Sequence, residues 1–208
     1  MPRKLPPTQR AKALSILSER GMVRLRELNA AGIDEETVAR LAREGGVVRL
    51  ARGLYQLPDA DLAAGHSLAE ATKLVPKGVV CLISALQFHN LTVQTPSVIW
   101  MAIGRAARKP KVRYPRLRFV RFGGPALALG IKQHRIEGVS VRIFDPAKTI
   151  VDCFRYRNKI GLDIALEGMR EALKTRQCKP DDIRRYAIAC RAWSIVRPYL
   201  EALSADAA

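Results

Sequence analysis

Residues 47–59 read VVRLARGLYQLPD. Two short apolar runs flank a turn that holds Arg49, Arg52 and Gly53, which is the pattern of a small β-hairpin. A two-stranded hairpin of this size does not hold in water unless it packs on something. Its support should lie next to it in the chain.

The upstream residues supply that support. Thr8 follows a Pro-Pro pair and suits a helix N-cap, and TQRAKALSILSER then sets Ala13, Leu14 and Leu17 on one stripe before Gly21. MVR reads as a short strand. RLRELNAAG reads as a second helix with Leu25 and Leu28 inward. A tight turn at Ala31-Gly32-Ile33 leads to Asp34, a good N-cap, and Glu35 and Glu36 suit the positive end of a third helix that runs to Gly45-Gly46. The order of helix, strand, helix, turn, helix and hairpin is that of a winged helix-turn-helix.

In such a fold the third helix enters the major groove and the hairpin, the wing, reaches the neighbouring backbone or minor groove. On a helical wheel Val38, Leu41 and Ala42 share the inward face. Glu36, Arg40 and Arg43 fall opposite, with Thr37 beside them. Arginine forks onto guanine, and threonine meets a base edge or a phosphate. The candidate DNA contacts are therefore Thr37, Arg40 and Arg43 on the helix and Arg49 and Arg52 on the wing. The other reading of Glu36 and Arg40 is an ordinary i,i+4 pair on a solvated helix.

Charge points the same way. The chain has 208 residues, room for one or two domains, and its net charge of +17 favours anionic partners, nucleic acid first. Hydrophobic residues at 48% suffice for a packed core. Double-stranded DNA is the expected partner. The apolar runs are too short to span a bilayer, and no apolar leader follows Pro2-Arg3-Lys4, so a cytoplasmic protein without a membrane partner is expected. Four dispersed cysteines without a C-x-x-C fit reduced thiols.

Residues 58–66, PDADLAAGH, have linker composition, which sets expected domains of 1–60 and 61–208. The second domain reads as mixed α/β. HSLAEATKLV and VVCLISALQFHNL suggest helices, and SVIWMAI, RLRFVRF and GVSVRIF suggest strands. In RLRFVRF, Leu117 and Phe119 are expected inward and Arg116 and Arg118 outward. DPAKTIVDCFRYRNK, GLDIALEGMREALKT, DDIRRYAIAC and WSIVRPYLEAL form a helical end. The fold class is α+β, a winged helix followed by a larger mixed α/β domain.

Between Glu70 and Glu137 there are 12 Lys/Arg and no Asp or Glu. Arg105, Arg108, Lys109, Lys111, Arg113, Arg116 and Arg118 are the candidates for a functional positive surface there. The competing reading has Glu167, Glu171 or Asp181 folding back to neutralise them. Catalytic patterns are lacking. The three histidines have no metal-ligand spacing, and Lys148 between Asp145 and Asp152 suggests a salt-bridged helix. No catalytic residue, metal site or cofactor is called for, and an enzyme is not expected.

Three stretches, ARGLYQLPD, LISALQFHNLT and FDPAKTIVDCFRYRNKIGLDIALEGMREAL, together resemble the AbiEi family of antitoxins, from abortive-infection toxin–antitoxin pairs classed as type IV. The resemblance implies an amino-terminal winged helix that binds inverted repeats in its own promoter and represses the operon. It also implies a carboxy-terminal domain that counteracts a nucleotidyltransferase-like toxin, without need of a stable complex. In that frame Arg40 and Arg43 match the recognition helix, Arg49 and Arg52 the wing, and the basic surface serves neutralisation or cooperative DNA binding by a monomer in solution. The alternatives are a stand-alone winged-helix regulator, or an RNA-binding protein that uses the basic 71–136 span with Tyr114, Phe119 and Phe122 as stacking platforms.

Overall fold

The computed structural model describes residues 8–58, 65–112 and 114–205. The chain divides into two compact units. One comprises residues up to Pro76 together with Arg135–Ser140, and the other comprises Lys77–His134 and Val141 onward.

The first unit has the expected element order: α1 (Gln9–Arg20), β1 (Val23–Arg24), α2 (Leu25–Ala30), α3 (Glu35–Arg43), β2 (Val48–Ala51) and β3 (Leu54–Gln56), followed by α4 (His66–Leu74). Thr8 caps α1, its hydroxyl accepting from the Ala11 N–H at 3.2 Å. The sheet order is β1-β3-β2, antiparallel throughout. Ala13, Leu17, Val23, Leu28, Ile33, Val38, Leu41, Val47 and Tyr55 make one core. The hairpin thus leans on all three helices, and burying its Val47 and Tyr55 there provides what the isolated hairpin lacks.

This unit reaches past the boundary expected at residue 60, which itself lies in 59–64, outside the described residues. The reason is a polar stitch between α2 and α4. The Arg24 guanidinium donates to the Lys73 carbonyl at 2.9 and 2.6 Å, and the Lys73 ammonium meets the Glu27 carboxylate at 3.0 Å. Glu27 in turn accepts from the Arg24 N–H at 2.8 Å. Burial pushes the Glu27 carboxyl up, but these donors outweigh it and hold the group below its usual value. Also within this unit, His66 Nδ1 lies 2.9 Å from the Glu137 carboxylate.

The second unit is built on β4 (Val79–Val80), α5 (Leu82–Phe88), β5 (Ile99–Gly104), β6 (Leu117–Phe122), α6 (Pro125–Ala128), the first four residues of β7 (Ile131–Ile136), the last four of β8 (Val139–Phe144), α7 (Pro146–Arg155), α8 (Arg157–Ile160), α9 (Leu162–Lys174), α10 (Pro180–Ala189) and α11 (Trp193–Ala205). Its sheet has the order β6-β5-β4-β8-β7, with β4 antiparallel to β5 but parallel to β8, and β5 parallel to β6. The α+β class holds. Helix α7 is the pillar: Ala147 through Phe154 are all buried. It starts as expected, with Asp145 accepting from the Lys148 N–H at 2.8 Å and Pro146 at the first turn.

Three local expectations are corrected. The VV of VVCLISALQFHNL is strand β4 and not helix; Cys81 ends it and α5 starts at Leu82. Strand β7 lacked a readable apolar alternation and was not foreseen. In β6 the inward residues are Val120 and Phe122, while Leu117 and Phe119 are half-buried. Arg118 lies over the Trp100 ring at 4.6 Å, and Lys109 lies 5.9 Å from the Phe119 ring centroid. Both faces of this edge strand are therefore partly covered, and simple alternation misassigns them.

Candidate nucleic-acid interface

Helix α3 is anchored at both ends. At its start the Asp34 carboxylate accepts from the Thr37 N–H at 2.8 Å, a bond that holds the Asp34 carboxyl below its ordinary value. The Gln9 side-chain oxygen of α1 accepts from the Asp34 N–H at 3.1 Å and from the Thr37 hydroxyl at 3.2 Å. At its end Gly45 (φ 74°) donates to Ala42 and Gly46 to Leu41, at 3.3 and 2.9 Å. That paired closure with a left-handed residue is the Schellman motif, which glycine enters without a Cβ penalty. With Val38 and Leu41 buried, only one face is left for solvent.

The face carries Glu36, Arg40 and Arg43, all exposed. Arg43 pairs with Glu36 at 2.6 Å, side chains 69% and 77% exposed, so a passing phosphate separates them at little cost. The partner of Glu36 is thus Arg43 and not Arg40. Arg10 of α1 pairs with Glu44 beyond the helix end. Thr37 sits elsewhere than expected. It is 7% exposed and its hydroxyl is taken by Gln9, so it braces α3 against α1 instead of facing outward.

The wing is short. Arg52 and Gly53 form its turn, and the Gly53 carbonyl accepts from the Leu25 N–H at 2.9 Å, which ties the turn to the start of α2. Arg52 is exposed at that turn. Arg49 is not at the tip. It stands opposite Tyr55 along β2, exposed, with a bulge between it and Ala51. The unit therefore presents Arg40 and Arg43 from a helix and Arg49 and Arg52 from a hairpin, the two elements that a winged helix offers to a duplex.

The positive stretch of the second unit lies mainly in the connection between the parallel neighbours β5 and β6. Arg105, Arg108, Lys109 and Lys111 are exposed along it, Arg116 and Arg118 follow, also exposed, and Arg113 lies outside the described residues. Arg121 positions this segment: its guanidinium donates to the carbonyls of Gly104 at 3.3 Å and Ala107 at 2.9 Å, and to that of Arg105. Nothing in the sequence marked that role. Among the described residues no ion pair joins Glu167, Glu171 or Asp181 to these cations. Glu167 accepts from the Val93 N–H instead, and Glu171 pairs with Lys174. The second unit holds 23 Lys/Arg against 9 Asp/Glu, and the first 13 against 10, so +14 of the +17 sits in the second.

The expected salt bridge on α7 is present, but in the core. Lys148 and Asp152 pair with both side chains 0% exposed, and Arg155 adds a second bond to Asp152 at 2.8 Å. Burial pushes the Asp152 carboxyl up while the two cations pull against it. His89 proves to be a hydrogen-bonded edge residue, its Nε2 2.8 Å from the Phe144 carbonyl. Burial raises the thiols of Cys81 and Cys153 well above the ordinary range, so they are inert. No helix of the described residues is long and apolar enough to cross a membrane, and none of their His, Cys, Asp and Glu side chains form a group of three that could hold a metal.

Comparison with known proteins agrees with this picture. The crystal structure of the RV2827C protein from Mycobacterium tuberculosis is similar in fold, with a TM-score of 0.59 at 15% identity over 96% of this chain and 78% of that one. No curated protein matches the sequence. Residues 12–58 match the family model described as "Transcriptional regulator, AbiEi antitoxin". The span runs from within α1 through β3. The likeness to AbiEi antitoxin transcriptional regulators thus rests on this amino-terminal module, under a quarter of the chain.

Proposed function

We propose that the protein is a cytoplasmic, non-enzymatic antitoxin that represses its own operon, in a type IV toxin–antitoxin pair serving phage defence. Its winged helix binds inverted repeats in the promoter. Arg40 and Arg43 meet base edges or flanking phosphates, and Arg49 and Arg52 hold the backbone or minor groove. The second unit counteracts a nucleotidyltransferase-like toxin through its positive surface, which also assists cooperative binding of monomers along DNA. One observation carries the DNA-binding part: the only solvent face of α3 presents Arg40 and Arg43, with its other face and both ends fixed to the core. Mobility shifts of a duplex from upstream of the gene test it. Retardation with preference over a scrambled duplex supports operator binding, and equal retardation of both removes it.

The antitoxin part is tested by co-expression with the product of the adjacent gene. The triple variant Lys109→Glu, Lys111→Glu, Arg113→Glu is expected to lose protection while keeping operator preference. Protection equal to the parent's places the antitoxin surface elsewhere. A second reading, single-stranded RNA binding along the same stretch, is favoured by one feature: Tyr114 is 66% exposed among these cations. Tighter binding to an RNA strand than to the promoter duplex favours it.

A further inference from the structure

A cavity of about 500 Å³ in the second unit is lined by Arg105, Arg155 and Arg191, with the backbone of Gly123 and Gly124, and no carboxylate lines it. Its volume falls in the range of small-molecule sites. Each arginine is placed by a separate device. Arg155 leaves α7 with one guanidinium nitrogen fixed 2.8 Å from Asp152, and Asp152 is itself neutralised by the buried Lys148. The other face of Arg155 lies 5.4 Å from the Phe122 ring centroid, and its side chain keeps 25% exposure. Arg105 lies across Gly123, where a Cβ would come within 2.9 Å of its Nε. Any side chain there would push Arg105 away. At Gly124 a Cβ would meet nothing within 4 Å, so the backbone is open on that side. Arg191 comes from the turn between α10 and α11 with φ 55°, a left-handed conformation that a non-glycine residue seldom holds.

Three guanidiniums around one concave space repel one another. Lys148 and Asp152 offset each other, so Arg155 adds a full charge to the cavity, and an anion held there would relieve the repulsion. Planar guanidinium forks match the paired oxygens of phosphate. The apolar part of the lining, Pro125, Ala126 and Ala189, gives an attached organic group a dry surface. We propose that this cavity binds the phosphate groups of a free, nucleotide-sized phosphate ester. The strip of Arg108, Lys109, Arg116 and Arg118 lies outside the cavity and suits an extended strand better. The site is separate from the winged helix, so it stands or falls independently of operator binding.

Calorimetric titration of the full chain at low salt tests it, with ATP, inorganic pyrophosphate and adenosine as probes. ATP and pyrophosphate are expected to saturate one common site and adenosine to give no heat. Arg105→Ala is expected to weaken both phosphates at least about tenfold, the loss of a charged hydrogen-bond donor, with the melting temperature unchanged. Arg191→Lys, which keeps charge but loses the fork, should weaken them less and serves as the second variant if the first fails to fold. No saturation by ATP or pyrophosphate overturns the proposal, as does equal affinity in the parent and both variants. If neither phosphate saturates while Arg105→Ala lowers affinity for an unrelated duplex, the cavity seats a nucleic-acid backbone and the proposal is likewise overturned.

Discussion

At the scale of single residues, chemistry was legible but orientation only partly so. Thr37 looked like a DNA contact because it borders the arginine face on a helical wheel. The wheel cannot show that Gln9, 28 positions earlier, reaches its hydroxyl. Position on a helix gives an angle and not what stands at that angle. Thr37→Val should therefore leave operator affinity unchanged and lower stability by about 0.5–1.5 kcal/mol, the net worth of a typical hydrogen bond; a thermal melt beside a mobility shift reads both. Loss of affinity at unchanged stability would restore Thr37 to the interface. Arg155 and Arg191 were missed for a related reason. Arg155 follows Lys148 and Asp152 at helical spacing, a signal present in the sequence, whereas nothing there brings Arg105, Arg155 and Arg191 to one cavity.

At the scale of elements, the winged helix was readable because each boundary carries a local cause. Thr8 and Asp34 cap, Gly45-Gly46 closes, and the apolar positions repeat at helical spacing. Strands β4 and β7 were not. Two buried valines running into CLIS look like the start of a helix, and IKQHRI buries only Ile136 fully. The wing teaches a further point. A bulge after Arg49 and the Leu25–Gly53 bond keep the hairpin short and leave Arg52 alone at the turn. Arg52→Ala is expected to weaken specific and random duplexes alike and to lower the salt slope of binding by about 1, the signature of one lost phosphate contact. A changed base preference with an unchanged slope would mean that the wing reads sequence.

At the scale of the whole molecule, the uneven charge was legible in the sequence, whose acid-free span lies beyond the winged helix, and the second unit holds +14 of the +17. That unit also carries a pH response. Burial lowers the pKa of His89, with His134 acting the same way and the Phe144 carbonyl and Asp145 opposing, and burial lowers that of His134. The unfolded chain takes up both protons near the ordinary value of 6.5, and the folded chain does so only at lower pH. The contribution to stability is complete above that value and is lost as pH falls from it through the folded values. Urea midpoints should drop between neutral and mildly acidic pH, and His134→Gln should flatten the drop. A midpoint that rises over that interval would show the sign to be wrong.

The central claim is that α3 reads DNA through Arg40 and Arg43, and fluorescence anisotropy of the full chain on its labelled promoter duplex addresses it directly. Arg40→Ala and Arg43→Ala are each expected to cost about 1–3 kcal/mol of discrimination over a scrambled duplex. Melting temperatures should hold, because both side chains are exposed and remove nothing from the core. Operator affinity and preference equal to the parent's in both variants would contradict the account.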